Sequence, residues 1–136
     1  MEVQLIPYIM LDGGAREAIA FYEQALGAKV VFKTTFGESG QEVSEQARDR
    51  VAHSVLKIGG TDLYVADTDP GVRFAQGKQV NICINIADKE QAQKYYEALK
   101  EGGQVEHPLQ EVYFSPAYGM VTDKFGVTFQ IFTKRT

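Results

Sequence analysis

Two stretches of this chain repeat the same residues in the same order, and that duplication limits the folds open to it. Phe21-Tyr22-Glu23 is answered by Tyr95-Tyr96-Glu97, and Ala18 by Ala92 at the same separation. Gly27-Ala28-Lys29-Val30 is answered by Gly102-Gly103-Gln104-Val105 after a slip of one residue. An ordered set of matches marks a single supersecondary unit used twice.

Around each match the periodicity changes in the same order. Residues 3–11 read as a strand in which Pro7 marks an edge or a bulge. Asp12-Gly13-Gly14 makes a turn, and residues 15–26 read as a helix with Ala18, Phe21, Tyr22 and Ala25 on one face. Residues 28–36 are a β-branched strand, and the polar stretch 37–49 is a long surface loop. Strands at 50–58 and 61–67 flank Gly59-Gly60, a hairpin signal. The pattern then restarts with a strand at 79–87. Asp88 and Gln91 resemble a capping box opening a helix over 88–101. Strands follow at 104–112 (interrupted near His107-Pro108), 117–123 and 127–133. The expected fold is α+β: one domain over 1–136, built from βαβββ modules at 1–68 and 79–136 with a linker at 69–78.

In each module a helix can cover only one face of its sheet. The two uncovered faces are expected to curve toward each other as a cupped mixed sheet and enclose a cleft. QVNICINIAD, residues 79–88, fits this plan. Val80, Ile82, Ile84 and Ile86 alternate with Asn81, Cys83 and Asn85, so the first set packs on a helix and the second lines the cleft. Short neutral polar groups suit a concave site with a few orienting hydrogen bonds. Thr128, Gln130 and Phe132 of the last strand and Tyr64 of the first hairpin have the same parity.

Charge narrows the partners. The net charge is −4 and there is no basic stripe, which argues against nucleic acid or an anionic membrane surface. The lone Cys83 excludes an internal disulfide and a cysteine-rich zinc site. MEVQLIPYIML lacks the basic start of a signal peptide, and no run nears the ~20 apolar residues of a membrane span, so the expected location is cytoplasmic.

The repeated plan, with PYIMLDG…EAIAFYEQALGAKV, AHSVLKIGGTDLYVAD and TDKFGVTFQIF, resembles the vicinal oxygen chelate superfamily, the group of glyoxalase I, bleomycin- and fosfomycin-resistance proteins and extradiol dioxygenases. The nearest resemblance is to its PhnB-like, 3-demethylubiquinone methyltransferase-like branch. The resemblance implies the glyoxalase/bleomycin-resistance fold and a homodimer. It also implies four metal-ligand positions, two per module. Carried onto this chain they fall at Ile6 or Pro7, Tyr64, Asn81 and Gln130. None is an imidazole, thiolate or carboxylate, from which divalent sites are normally built. The expectation is therefore no metal ligand and no cofactor. Asp123-Lys124-Phe125-Gly126 and Phe129 depart from the branch's usual Asp-Pro-Phe-Gly and Trp, in a way that looks structural.

The candidate ligand-binding residues are Tyr8, His53, Tyr64, Asn81, Cys83 and Gln130; no catalytic residue is assigned. His53 is either a pocket base or a hydrogen-bonded strand histidine. Tyr8 and Tyr64 are either ligand donors or core-edge residues. Cys83 reads as a small buried strand residue, because no basic neighbour or helix start lowers its pKa. His107 reads as a surface-turn residue. Phe21, Tyr22, Tyr95 and Tyr96 read as core, and Asp12, Asp88 and Asp123 as turn or capping residues. No glycine-rich cofactor loop follows a strand, which argues against S-adenosylmethionine. The functional expectation is a metal-free protein holding a small molecule of unknown identity. The alternative is a lyase, isomerase or dioxygenase, metal-dependent or using His53. A protein-docking scaffold is the third reading.

Overall fold

The computed structural model describes residues 3–40, 42–69, 75–77 and 79–134, and the chain divides into two compact units, Met1–Ala75 and Gln76–Thr136. The first contains β1 (Tyr8–Leu11), α1 (Ala15–Leu26), β2 (Lys29–Thr35), a 3-10 turn at Glu45–Ala47, β3 (Val51–Ile58) and β4 (Thr61–Asp67). The second contains β5 (Ile82–Ile86), α2 (Lys89–Lys100), β6 (Gln104–Val112), β7 (Ser115–Thr122) and β8 (Thr128–Thr133). The strands form two four-stranded sheets, ordered β1-β4-β3-β2 and β5-β8-β7-β6. In each, the first strand runs parallel to the last and the other pairs are antiparallel. Both sheets are therefore mixed, and the duplicated βαβββ order is that of the sequence. Residues 70–74 and 78 of the expected linker lie outside the described residues.

The matched helix residues are matched because they do the same work. Ala18, Tyr22 and Ala25 are buried in α1, and Ala92, Tyr96 and Leu99 in α2, at the spacing that keeps side chains on one helical face. Phe21 and Tyr95, expected in the core, are only half-buried. α1 stops at Gly27, whose left-handed φ of 67° a residue with a Cβ would adopt at a cost. Gly59-Gly60 joins β3 to β4 as the expected two-residue hairpin, with Ile58 opposite Thr61.

Several boundaries differ. β1 starts at Tyr8, not at residue 3, and Pro7 sits just before it, giving only its carbonyl to Tyr64 N–H at 3.0 Å. β5 starts at Ile82, so Val80 and Asn81 precede the strand. Val80 is 85% exposed and does not pack on a helix, while Ile82, Ile84 and Ile86 are half-buried opposite Phe129, Ile131 and Thr133. β5 is an edge strand, which leaves one of its sides without a neighbour to cover it. His107 is not in a turn: it lies in β6 opposite Met120, and the register shifts on both sides of it, as Pro108 in a ladder requires. Among its described residues the 37–49 stretch carries the short 3-10 turn and no longer helix or strand, and its ends are tied by Phe36 N–H to Arg50 O and Gly37 N–H to Arg48 O, each 3.0 Å.

Of the three turn aspartates, Asp88 accepts Glu90 N–H at 3.0 Å and caps α2. Asp123 accepts from Phe125 and Val127 N–H and holds the turn into β8. Among the described residues Asp12 caps no N–H group and pairs with Arg50 at 2.9 Å instead. No helix is long and apolar enough to cross a membrane among the described residues.

Candidate functional site

Cross-strand register decides which side chains share a face. In the first unit Tyr8 opposes Tyr64, Tyr64 opposes Val55, and Val55 opposes Phe32. Thr34 opposes His53 on the same side. The other parity (Ile9, Leu11, Leu56, Leu63 and Val65) is buried in the core. The side not packed into the core thus carries an aromatic cluster. The Tyr8 hydroxyl is 2.7 Å from His53 Nδ1. The His53 ring lies 4.9 Å from Tyr64, 5.5 Å from Tyr8 and 6.0 Å from Phe32. Tyr8 is 45% and Phe32 51% exposed, so a small molecule can reach the cluster. Partial burial, and secondarily the neighbouring Tyr64 phenol, raise the Tyr8 pKa. Tyr8 therefore keeps its proton at neutral pH. If it donates that proton to Nδ1, the imidazole's Nε2 is left as an N–H donor.

The open face of the second unit has different chemistry. Tyr118 O–H donates to Gln130 Oε1 at 2.8 Å, and Gln130 Nε2 donates to Asn81 Oδ1 at 2.7 Å. Cys83 stands opposite Gln130 in the β5–β8 register. Contrary to expectation Cys83 is exposed, because β5 is an edge strand. Its thiol is still desolvated enough that its pKa is raised. Burial, and then Cys83 itself, raise the Tyr118 pKa. The Tyr118 ring also meets His107 at 5.3 Å and Phe114 at 5.0 Å.

The six candidates thus fall into two trios. Tyr8, His53 and Tyr64 touch one another in the first unit, and Asn81, Cys83 and Gln130 neighbour one another in the second. Register also decides between Ile6 and Pro7. Tyr8 opposes Tyr64 as Cys83 opposes Gln130, so two residues earlier Ile6 corresponds to Asn81. The four metal-family positions are then Ile6, Tyr64, Asn81 and Gln130, and the oxygens of Asn81 and Gln130 each already accept a hydrogen bond. Among the described residues no three or more His, Cys, Asp and Glu converge as a metal site.

Sequence reasoning missed Phe32, Tyr118 and His107 as open-face residues. Tyr118 was readable, since Ala117, Gly119 and Val121 alternate with Tyr118, Met120 and Thr122. Phe32 was not. Val30 opposes Leu56 and Phe32 opposes Val55, so a bulge at Val31 reverses the parity of β2.

A family model described as 3-demethylubiquinone-9 3-methyltransferase matches residues 3–132. Protein YjdN of Escherichia coli is 28% identical over 137 residues, covering 93% of this chain and 92% of its own. The crystal structure of PA1353 from Pseudomonas aeruginosa is 30% identical with a TM-score of 0.92, covering 99% of this chain and all of that one. FosX, a genomically encoded fosfomycin resistance protein of Listeria monocytogenes, shares the fold at 12% identity, with a TM-score of 0.70 over 99% of this chain and 95% of its own. The pairing of two βαβββ units is thus the glyoxalase/bleomycin-resistance fold, and the chain belongs to the 3-demethylubiquinone-9 3-methyltransferase-like family, of the vicinal oxygen chelate type.

Proposed function

We propose that this protein binds a small molecule on its open sheet faces without a metal ion. The observation that carries the reading is the accessible cluster of Tyr8, Phe32, His53 and Tyr64: aromatic surface with two phenol hydroxyls and an imidazole, on the sheet face not packed into the core. Aromatic side chains offer stacking area at low entropic cost, and a few polar atoms among them fix orientation. Asn81, Cys83, Tyr118 and Gln130 supply neutral donors and acceptors on the other open face. The donor set does not fit a divalent ion, since a phenol and two engaged amides give no negative charge to offset it. We also propose the homodimer and the cytoplasmic location, the first because Tyr8–Leu11 and Ile82–Ile86 are edge strands.

Nothing at the start of α1 is shaped for the cofactor of a methyltransferase, the activity in the family's description. The Asp67 carboxylate accepts from the turn N–H of Gly13 and from Ala15 N–H, the first of α1, at 2.8 and 3.0 Å. A second reading, a metal-free acid–base enzyme, is favoured by the 2.7 Å bond between Tyr8 and His53, because a histidine oriented by one ring nitrogen can move a proton at the other.

Native mass spectrometry of the protein purified from its own cells tests the main reading. The expected spectrum shows a dimer retaining a small organic molecule, with retention lost in Tyr64→Ala. One zinc, iron, nickel or manganese per chain overturns the metal-free assignment.

A further inference from the structure

The first unit has a second concavity, built from residues that the aromatic cluster does not use. Its volume is about 550 Å³, and its charged lining is Arg16, Lys33, Arg48, Glu38 and Asp49. Lys33 and Thr35 oppose the buried residues Ser54 and Val51, so they lie on the side of the sheet away from His53 and Phe32. Arg16 comes from the first turn of α1, and the remaining residues from the segment between β2 and β3.

Its cations are placed, and although Lys33 and Arg16 help to lower the Glu38 pKa, none is locked in a direct ion pair. Among the described residues none of Arg16, Lys33 and Arg48 has a carboxylate within ion-pair distance. Arg16 is held by one hydrogen bond, from its Nη2 to Asp49 O at 3.1 Å, which leaves its other N–H groups open. Arg48 lies over Gly37: a Cβ on that glycine would sit 3.6 Å from the guanidinium carbon and 3.3 Å from Arg48 O. The carboxylates are unequal. Glu38 Oε1 is taken by the N–H and the O–H of Thr35, both at 3.0 Å, and those bonds are the main reason its pKa is lowered. Asp49 has no described side-chain partner and remains free to accept.

We propose that this concavity binds a small phosphate monoester that carries hydroxyl groups. Two guanidiniums and an ammonium match a tetrahedral dianion with charge-assisted bonds. The carboxylate of Asp49 can accept from a hydroxyl on the alcohol part of an ester, a contact added to those of the phosphate group, and that extra bond favours the ester over inorganic phosphate. The space agrees, because concavities of roughly 300–1,000 Å³ hold whole small molecules. This site rests on none of the residues in the preceding proposal, so either can fail without the other.

Isothermal titration of the full chain at low ionic strength tests it, with glycerol 3-phosphate, inorganic phosphate and glycerol as probes. Glycerol 3-phosphate is expected to bind, inorganic phosphate about tenfold more weakly and glycerol not at all. Arg48→Gln and Lys33→Gln should each weaken the ester by about tenfold, the scale of one charge-assisted hydrogen bond, with unchanged thermal midpoints. Lys89→Gln on α2 should change nothing. The proposal is overturned if glycerol 3-phosphate gives no binding heat, if inorganic phosphate binds equally well, or if both glutamine variants bind as the parent does.

Discussion

In the first unit α1 begins on a carboxylate far away in sequence; in the second α2 begins on its own N-cap. Asp67, the last residue of β4, is buried and accepts from Gly13 N–H, Ala15 N–H and Val51 N–H at 2.8, 3.0 and 3.0 Å. It ties the β1–α1 turn, the helix start and β3 to one strand end. Asp88 is exposed and caps only Glu90 N–H. Thr133 occupies the place of Asp67 in the second unit, since Leu11 opposes Asp67 as Ile86 opposes Thr133. There the strand end is held by Ser115, whose hydroxyl donates to Thr133 O at 2.7 Å and accepts Thr133 N–H at 3.2 Å. The same topology is thus fastened by a buried aspartate in one copy and by a buried hydroxyl plus a local cap in the other. A duplicated fold needs its helix termini satisfied, but it does not need the same residue to do it.

The largest effect should come from removing the remote cap. Asp67→Ala leaves three N–H groups without their acceptor. Each unsatisfied buried donor costs about 1–3 kcal/mol, and because neighbouring losses are not additive we expect about 3–5 kcal/mol in all. Asp67→Asn keeps one carbonyl oxygen and should fall between. Urea denaturation gives both values. Asp88→Ala should cost only about 1 kcal/mol, as a solvent-exposed cap does. If Asp88→Ala matches or exceeds Asp67→Ala, the contrast between the units is wrong.

What the sequence disclosed follows from the range of the interactions involved. Both helices were readable because Ala18-Tyr22-Ala25 and Ala92-Tyr96-Leu99 are local periodic patterns, and the Gly59-Gly60 hairpin because two residues settle it. Asp67 was not readable as a cap, because its partners lie up to 54 positions away. The open-face parity of Tyr64, Cys83 and Gln130 followed from strand alternation and agrees with the register, whereas that of Tyr8 came only with its pairing to Tyr64. Alternation could not have placed Phe32, because the bulge reverses it there, and it failed at Val80, where the strand has not yet begun. Burial at Cys83 was misjudged for another reason: period two says which side a residue takes, but not whether its strand lies at an edge.

The smallest expected effect distinguishes the units by their response to alkali. Tyr8 in the first unit and Cys83 and Tyr118 in the second all have raised pKa values, with desolvation as the leading cause. A raised value means that the folded state holds its proton more tightly than the unfolded chain does. The resulting stabilisation is complete below the unfolded pKa and is lost as pH rises through the folded one. The unfolded reference is 9.0 for Cys83 and 10.0 for the tyrosines, so the second unit should begin to weaken at lower pH than the first. Cys83→Ser should flatten the loss of stability that starts near pH 9.0, whereas Tyr8→Phe should act only above pH 10.0. Because Cys83 also helps to raise the Tyr118 value, the serine variant should shift Tyr118 ionisation to lower pH, visible in the ultraviolet titration of its phenol. Alkylation by iodoacetamide measures the thiol directly, and its rate should reach half-maximum above pH 9.0. A midpoint at or below that value would mean that the thiol is better solvated than its place beside Tyr118 and Gln130 implies, and the difference in alkaline response between the two units would vanish with it.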